Sequence, residues 1–142
     1  MFQNPDQAQI AARLAAARII AVVGLSPEPS RPSQRVARAL QQFGYRVIPV
    51  TPAAPWILGE RAVSRLDQLG EVLGPREQVD IVDVFRRPEH VSAIVDDCIR
   101  LGLPAVWLQE GVVDASAAER AKAAGIFTVM DRCILRERAA LE

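Results

Sequence analysis

An excess of either charge is missing from this chain: seventeen basic residues oppose seventeen acidic ones among its 142. No net field therefore steers it toward nucleic acid or an anionic membrane surface. Aromatics are scarce, at four Phe, two Trp and one Tyr, and they are not interleaved with basic residues. That excludes a stacking platform for single-stranded nucleic acid. Cysteine is limited to Cys98 and Cys133 and histidine to His90, too few for a disulfide framework or a metal cluster. No apolar run approaches the ~20 residues a membrane helix needs. The opening Met1-Phe2-Gln3-Asn4-Pro5-Asp6 lacks the basic-then-apolar order of a signal peptide. These absences predict a cytoplasmic protein.

Half the residues are hydrophobic and 24% are charged, the balance of a globular chain with a single core. One domain over residues 1–142 is expected, with an opening helix within residues 1–17 packed on it. There is no internal repeat or low-complexity tract. Asn4-Pro5-Asp6 reads as a helix start, with Ile10 and Leu14 on one face. Five apolar segments follow at 19–23, 46–50, 80–84, 105–108 and 128–130, with a short candidate strand at Arg61-Ala62-Val63. Helical patterns occupy 33–43, 64–73, 88–101 and 114–124, and Gly44, Gly102 and Gly125 stand directly after three of them. Strands that alternate with helices and carry no polar alternation imply a parallel sheet buried on both faces. The predicted fold is α/β, a Rossmann-like doubly wound sheet of five or six strands.

Ligands of such sheets bind outside the C-terminal strand ends. Gly24, Leu25, Ser26, Arg31, Pro32 and Ser33 follow the first strand, and Thr51 and Pro52 follow Val50 at the end of the second. Phe85 and Arg86 follow the third major strand, Gln109 and Glu110 the fourth, and Asp131, Arg132 and Cys133 the last. The first of these loops leads from a buried strand into a helix start, where unpaired N–H groups and the helix dipole favour phosphate. It departs from G-x-G-x-x-G, because Ser26 occupies the place of the second glycine. The second strand also ends without the Asp or Glu that holds a nicotinamide cofactor's ribose. NAD or NADP is the weaker reading on both counts.

The runs Val23-Gly24-Leu25-Ser26, Ser30-Arg31-Pro32-Ser33 and Gly44 to Val50 resemble the small stand-alone CoA-binding domain family. So do Val82-Asp83-Val84-Phe85-Arg86, Val106 to Gly111 and Met130-Asp131-Arg132-Cys133. The likeness extends from about Ala17 onward, with the motifs in the family's order. The family is similar to the N-terminal CoA-binding domain of the succinyl-CoA synthetase alpha subunit, without its phosphohistidine domain. The resemblance implies coenzyme A or an acyl-CoA as ligand. On that basis Gly24 admits the pyrophosphate, while Leu25 and Pro32 complete the loop. Ser26 and Ser33 donate hydroxyls and Arg31 meets a phosphate. Val50, Thr51 and Pro52 lie on the ribose or adenine side, Phe85 and Arg86 flank the nucleotide or the start of the pantetheine arm, and Gln109 and Glu110 follow the arm. Arg132 is included as a cation at the last strand end.

Catalytic groups are harder to assemble. Asp83 interrupts an apolar strand and needs a partner, for which Arg132 or Arg35 is available, and Asp131 is likewise read as structural. His90 begins a helix with no Ser-His-Asp, H-E-x-x-H or paired-carboxylate pattern around it. Cys98 and Trp107 read as core. Cys133 beside Arg132 is a candidate reactive thiol, and Trp56 either covers a ligand or packs on the sheet. The chain is therefore expected to be a non-catalytic binding, carrier or regulatory module for a small nucleotide ligand. Nucleic acid and membrane are not expected partners, and the sequence specifies no protein partner. The alternative is an NAD(P)-dependent oxidoreductase or an acyl-CoA-transforming enzyme.

Overall fold

The computed structural model describes residues 1–142. Five parallel strands form one sheet in the order β2-β1-β5-β6-β7. They are β1 (Ile19–Val23), β2 (Arg46–Val50), β5 (Ile81–Val84), β6 (Ala105–Leu108) and β7 (Phe127–Met130). Beyond β2, Val63 makes a single parallel bridge to Val50. Its N–H donates to the Pro49 carbonyl and its carbonyl accepts from Thr51. This one-residue remnant of a sixth strand completes the Rossmann order 3-2-1-4-5-6. The candidate strand at 61–63 is thus mostly something else. Trp56–Ile57 (β3) and Glu60–Arg61 (β4) form a small antiparallel hairpin instead, whose turn holds Leu58 at φ 54°.

Strands without polar alternation form here because both sheet faces are covered. On one face α3 (Val91–Leu101) and α4 (Ala115–Ala123) bring Val91, Val95, Cys98, Ala117 and Ala121 against Ala21, Val82 and Val106. On the other, α1 (Gln7–Ala16), α2 (Pro32–Gln42) and α5 (Ile134–Ala139) cover Ile20, Val22, Trp107 and Val129. Cys98 and Trp107 are core residues, as their neighbours imply.

Local chemistry sets the helix boundaries. Asp6 accepts from the Gln9 N–H at 2.8 Å while the Gln9 side chain accepts from the Asp6 N–H, a capping box that starts α1. Asp114 caps α4 through the Ala117 N–H. The pattern at 64–73 gives only a 3-10 segment, Leu66–Glu71, that buries Leu66 and Leu69. The helix expected from Pro88 opens as a 3-10 turn, Pro88–His90, before α3 begins. Helix α5 was not anticipated; it is one and a half turns long and anchored by the buried Ile134.

Candidate functional site

The site begins where the order of the strands reverses. β1 lies at the switch point, with β2 on one side and β5 on the other, so the loops after these strands diverge and leave a crevice. A cleft of about 560 Å³ opens there. Of the residues expected at the site, Gly24, Leu25, Ser26, Arg31, Pro32, Ser33, Val50, Thr51, Pro52, Phe85 and Arg86 line it together. Val23, Pro27, Ala53 and Ser64 line it as well. Ser64 follows the Val63 bridge, so reading that short strand to its end would have found it. The pattern at 64–73 drew it into a helix instead.

Three expected residues lie elsewhere and have protein partners. The Gln109 Oε1 accepts from the Ile134 N–H at 3.0 Å, fixing the start of α5. Glu110 pairs with Arg136 at 3.0 Å and Arg132 with Glu137 at 3.0 Å. Asp131 is structural as read, its Oδ1 accepting from the Gly111 N–H at 2.8 Å. His90 and Cys133 are not among the lining residues.

The loop from Gly24 to Arg31 is held from within. Leu25 is fully buried in the core under α2, which pins the loop to the sheet. The Ser33 Oγ accepts from the Ser26 N–H at 3.0 Å, the Ser26 Oγ accepts from Glu28, and Gln34 donates to the Ser26 carbonyl at 3.2 Å. Helix α2 starts at Pro32, with Arg31 at the N-cap and no side chain capping it. The Ser33 N–H makes no hydrogen bond within the protein, which leaves a donor and the positive end of an eleven-residue helix at the cleft.

Gly24 is constrained from the opposite side. Its φ is 85°, and a Cβ there would stand 2.3 Å from the Phe85 carbonyl oxygen and 2.8 Å from Arg86 Cδ. The loop after β5 therefore rests on the bare backbone of the loop after β1. Glycine is required by the protein's own packing, whatever else approaches.

The electrostatics are one-sided. Arg31 and Arg86 are the only charged residues lining the cleft. Neither makes an ion pair. Around them stand the hydroxyls of Ser26, Ser33, Thr51 and Ser64. Two unpaired guanidinium groups, hydroxyl donors and a helix N-terminus suit an anion with several oxygens, above all phosphate. No carboxylate, imidazole or thiol lines the cleft.

Asp83 corrects one expectation. Neither Arg132 nor Arg35 reaches it: the side chain is 0% exposed and neither carboxyl oxygen has a hydrogen-bond partner. It lies in register between Val22 and Trp107 in the middle of the sheet. Burial in the apolar sheet pushes its carboxyl well above the usual carboxylate range, because desolvation disfavours the charged form.

Known proteins share this architecture. The chain is 41% identical over 133 residues to YneT of Bacillus subtilis (strain 168), covering 94% of each. The structure of cell-free ID.343 from Thermus thermophilus superposes with a TM-score of 0.88 at 37% identity, over 97% of this chain and 100% of that one. The dinucleotide-forming acetyl-coenzyme A synthetase 1 of Ca. Korarchaeum cryptofilum shares the fold over 80% of this chain and 26% of that one, at 20% identity and a TM-score of 0.64. The CoA binding domain family matches residues 18–139. This protein belongs to that family.

Proposed function

We propose that the protein binds coenzyme A or an acyl-CoA in the cleft between the ends of β1, β2 and β5, as a binding, carrier or regulatory module without chemistry of its own. The observation that carries this reading is a cleft whose only charges are the unpaired Arg31 and Arg86, in a chain of the CoA binding domain family. A 3′-phosphorylated ADP brings several negative charges and many acceptor oxygens, and it needs cations and donors without competing carboxylates. The lining offers that set. Arg31, Arg86 and the Ser33 N–H would take phosphate oxygens, and Thr51 with Pro52 would take the ribose or adenine side. The same absence of a carboxylate disfavours NAD, whose ribose is ordinarily held by one. A catalytic module would need a base or nucleophile at the cleft, and hydroxyls are the only such groups lining it.

Thermal unfolding tests the ligand. Coenzyme A and acetyl-CoA raise the melting temperature and NAD and NADP do not, because a ligand of the native state stabilises it by mass action. A shift with NAD and none with coenzyme A overturns the reading. Calorimetry tests the residues: Arg31→Ala and Arg86→Ala each weaken coenzyme A binding by roughly 1.5–3 kcal/mol, the size of a charge-assisted hydrogen bond. Their exposed guanidinium groups contribute little to the fold, so the melting temperature of the free protein stays put.

A further inference from the structure

The cleft is built from one half of the sheet. Its walls come from the ends of β1 and β2, the loops that follow them, Ser64, and the two residues after β5. It stops at Arg86, and no residue from the ends of β6 or β7 lines it.

Those two strand ends are where a long ligand arm would continue across the sheet, and several of their side chains already have protein partners. Gln109 holds the Ile134 N–H at 3.0 Å. Glu110 holds Arg136 and Arg132 holds Glu137, each at 3.0 Å. Asp131 accepts from Gly111 at 2.8 Å, and the Arg132 carbonyl accepts from the Trp107 indole N–H at 2.8 Å. These contacts lock the loops after β6 and β7 to α5 and to each other. A pantetheine arm lying there would run outside the cleft, past side chains that the protein already holds in place.

Resting on the coenzyme A reading, we infer that the protein grips only the nucleotide end of the ligand and leaves the pantetheine arm and its sulfur in solvent. Recognition then stops at the 3′-phospho-ADP moiety. The module does not select among acyl groups, and the thioester stays open to whatever second molecule acts on it. The two amides of the arm keep their water, so the arm adds little binding energy and loses little conformational freedom.

Binding of a set of ligands to the intact protein tests this directly. The probes are 3′-phospho-ADP, coenzyme A, acetyl-CoA, succinyl-CoA, and coenzyme A carrying a bulky fluorophore on sulfur, read by calorimetry and by fluorescence anisotropy with unlabelled coenzyme A as competitor. Their dissociation constants are expected to agree within about threefold, well under the tenfold that corresponds to 1.4 kcal/mol. A dissociation constant for 3′-phospho-ADP at least about tenfold weaker than that of coenzyme A overturns the inference and leaves the coenzyme A reading standing. So does a comparable loss with the fluorophore or between acyl groups. If neither coenzyme A nor 3′-phospho-ADP binds, the coenzyme A reading itself fails.

Discussion

Asp83 lies in β5 between Val22 and Trp107, fully buried and without a hydrogen-bond partner for either carboxyl oxygen. An unsatisfied buried polar group is a cost to the fold, and this one depends on pH. In the unfolded chain the carboxyl ionises near pH 3.9, whereas burial keeps it protonated in the folded protein far above that. Below the unfolded value both states carry the proton and the group makes no difference. As pH rises above it, the unfolded state alone releases the proton, so stability falls until the folded pKa is reached. Asp83→Asn removes that ionisation without changing shape. Urea denaturation at pH 7 is expected to show the variant more stable than the parent, with the gap closing toward pH 4. A variant less stable than the parent at pH 7 would show that Asp83 is ionised and paired in solution. The single-residue signal was legible in part. A carboxylate in an apolar strand had to be explained, but that neither Arg132 nor Arg35 reaches it depended on where the loop after β7 and helix α2 were placed.

At the scale of elements, the loop after β1 and the loop after β5 act as a unit. Gly24 gives its N–H to the Val50 carbonyl at 3.0 Å, and the Phe85 N–H donates to the Val23 carbonyl at 2.8 Å. A Cβ on Gly24 meets the Phe85 carbonyl and Arg86, so it displaces one of the two cationic walls. Gly24→Ala is expected to lower stability by roughly 1–3 kcal/mol through strain at positive φ and overpacking. It is also expected to weaken coenzyme A binding, since Arg86 moves with the loop. Far-UV circular dichroism of an α/β protein with a lowered urea midpoint would bear this out. An unchanged midpoint with lost binding would mean that only the ligand needs the bare backbone. Elsewhere the sequence pattern and the elements part company for local reasons. The segment at 64–73 has helical spacing, yet the chain forms only a 3-10 segment there, Leu66–Glu71, with Gly70 inside it. Helix α5 is too short to show periodicity, and its first N–H is held by Gln109 from 25 residues away.

Over the whole molecule, Tyr45 joins parts of the chain that are far apart in sequence. Its hydroxyl donates to the Leu14 carbonyl at the end of α1 and accepts from Arg138 Nε in α5 at 3.0 Å. The Arg138 guanidinium also lies 4.5 Å over the Phe43 ring. Tyr45→Phe leaves a carbonyl and a guanidinium without this partner and is expected to cost about 1–2 kcal/mol. The change reads as a lower urea midpoint with an unaltered m-value. Since Tyr45 is not among the residues lining the cleft, coenzyme A affinity should be unchanged. A loss of affinity equal to that of Arg31→Ala would instead tie the terminal helices to the site.

The sequence by itself determined the layered α/β architecture, because five apolar runs separated by capped helical patterns bury themselves only as a doubly covered parallel sheet. It also marked the loop after β1 as the expected phosphate loop, since glycine, hydroxyls and arginine stand together there within ten residues, and the structure brings that loop to the cleft. Tertiary structure alone decided how far the cleft extends. Gln109, Glu110 and Arg132 carry the right chemistry at strand ends, but Ile134, Arg136 and Glu137 from a short C-terminal helix reach them first. Two of these contacts join residues 25 and 26 positions apart, and partners so distant along the chain leave no pattern in it to read.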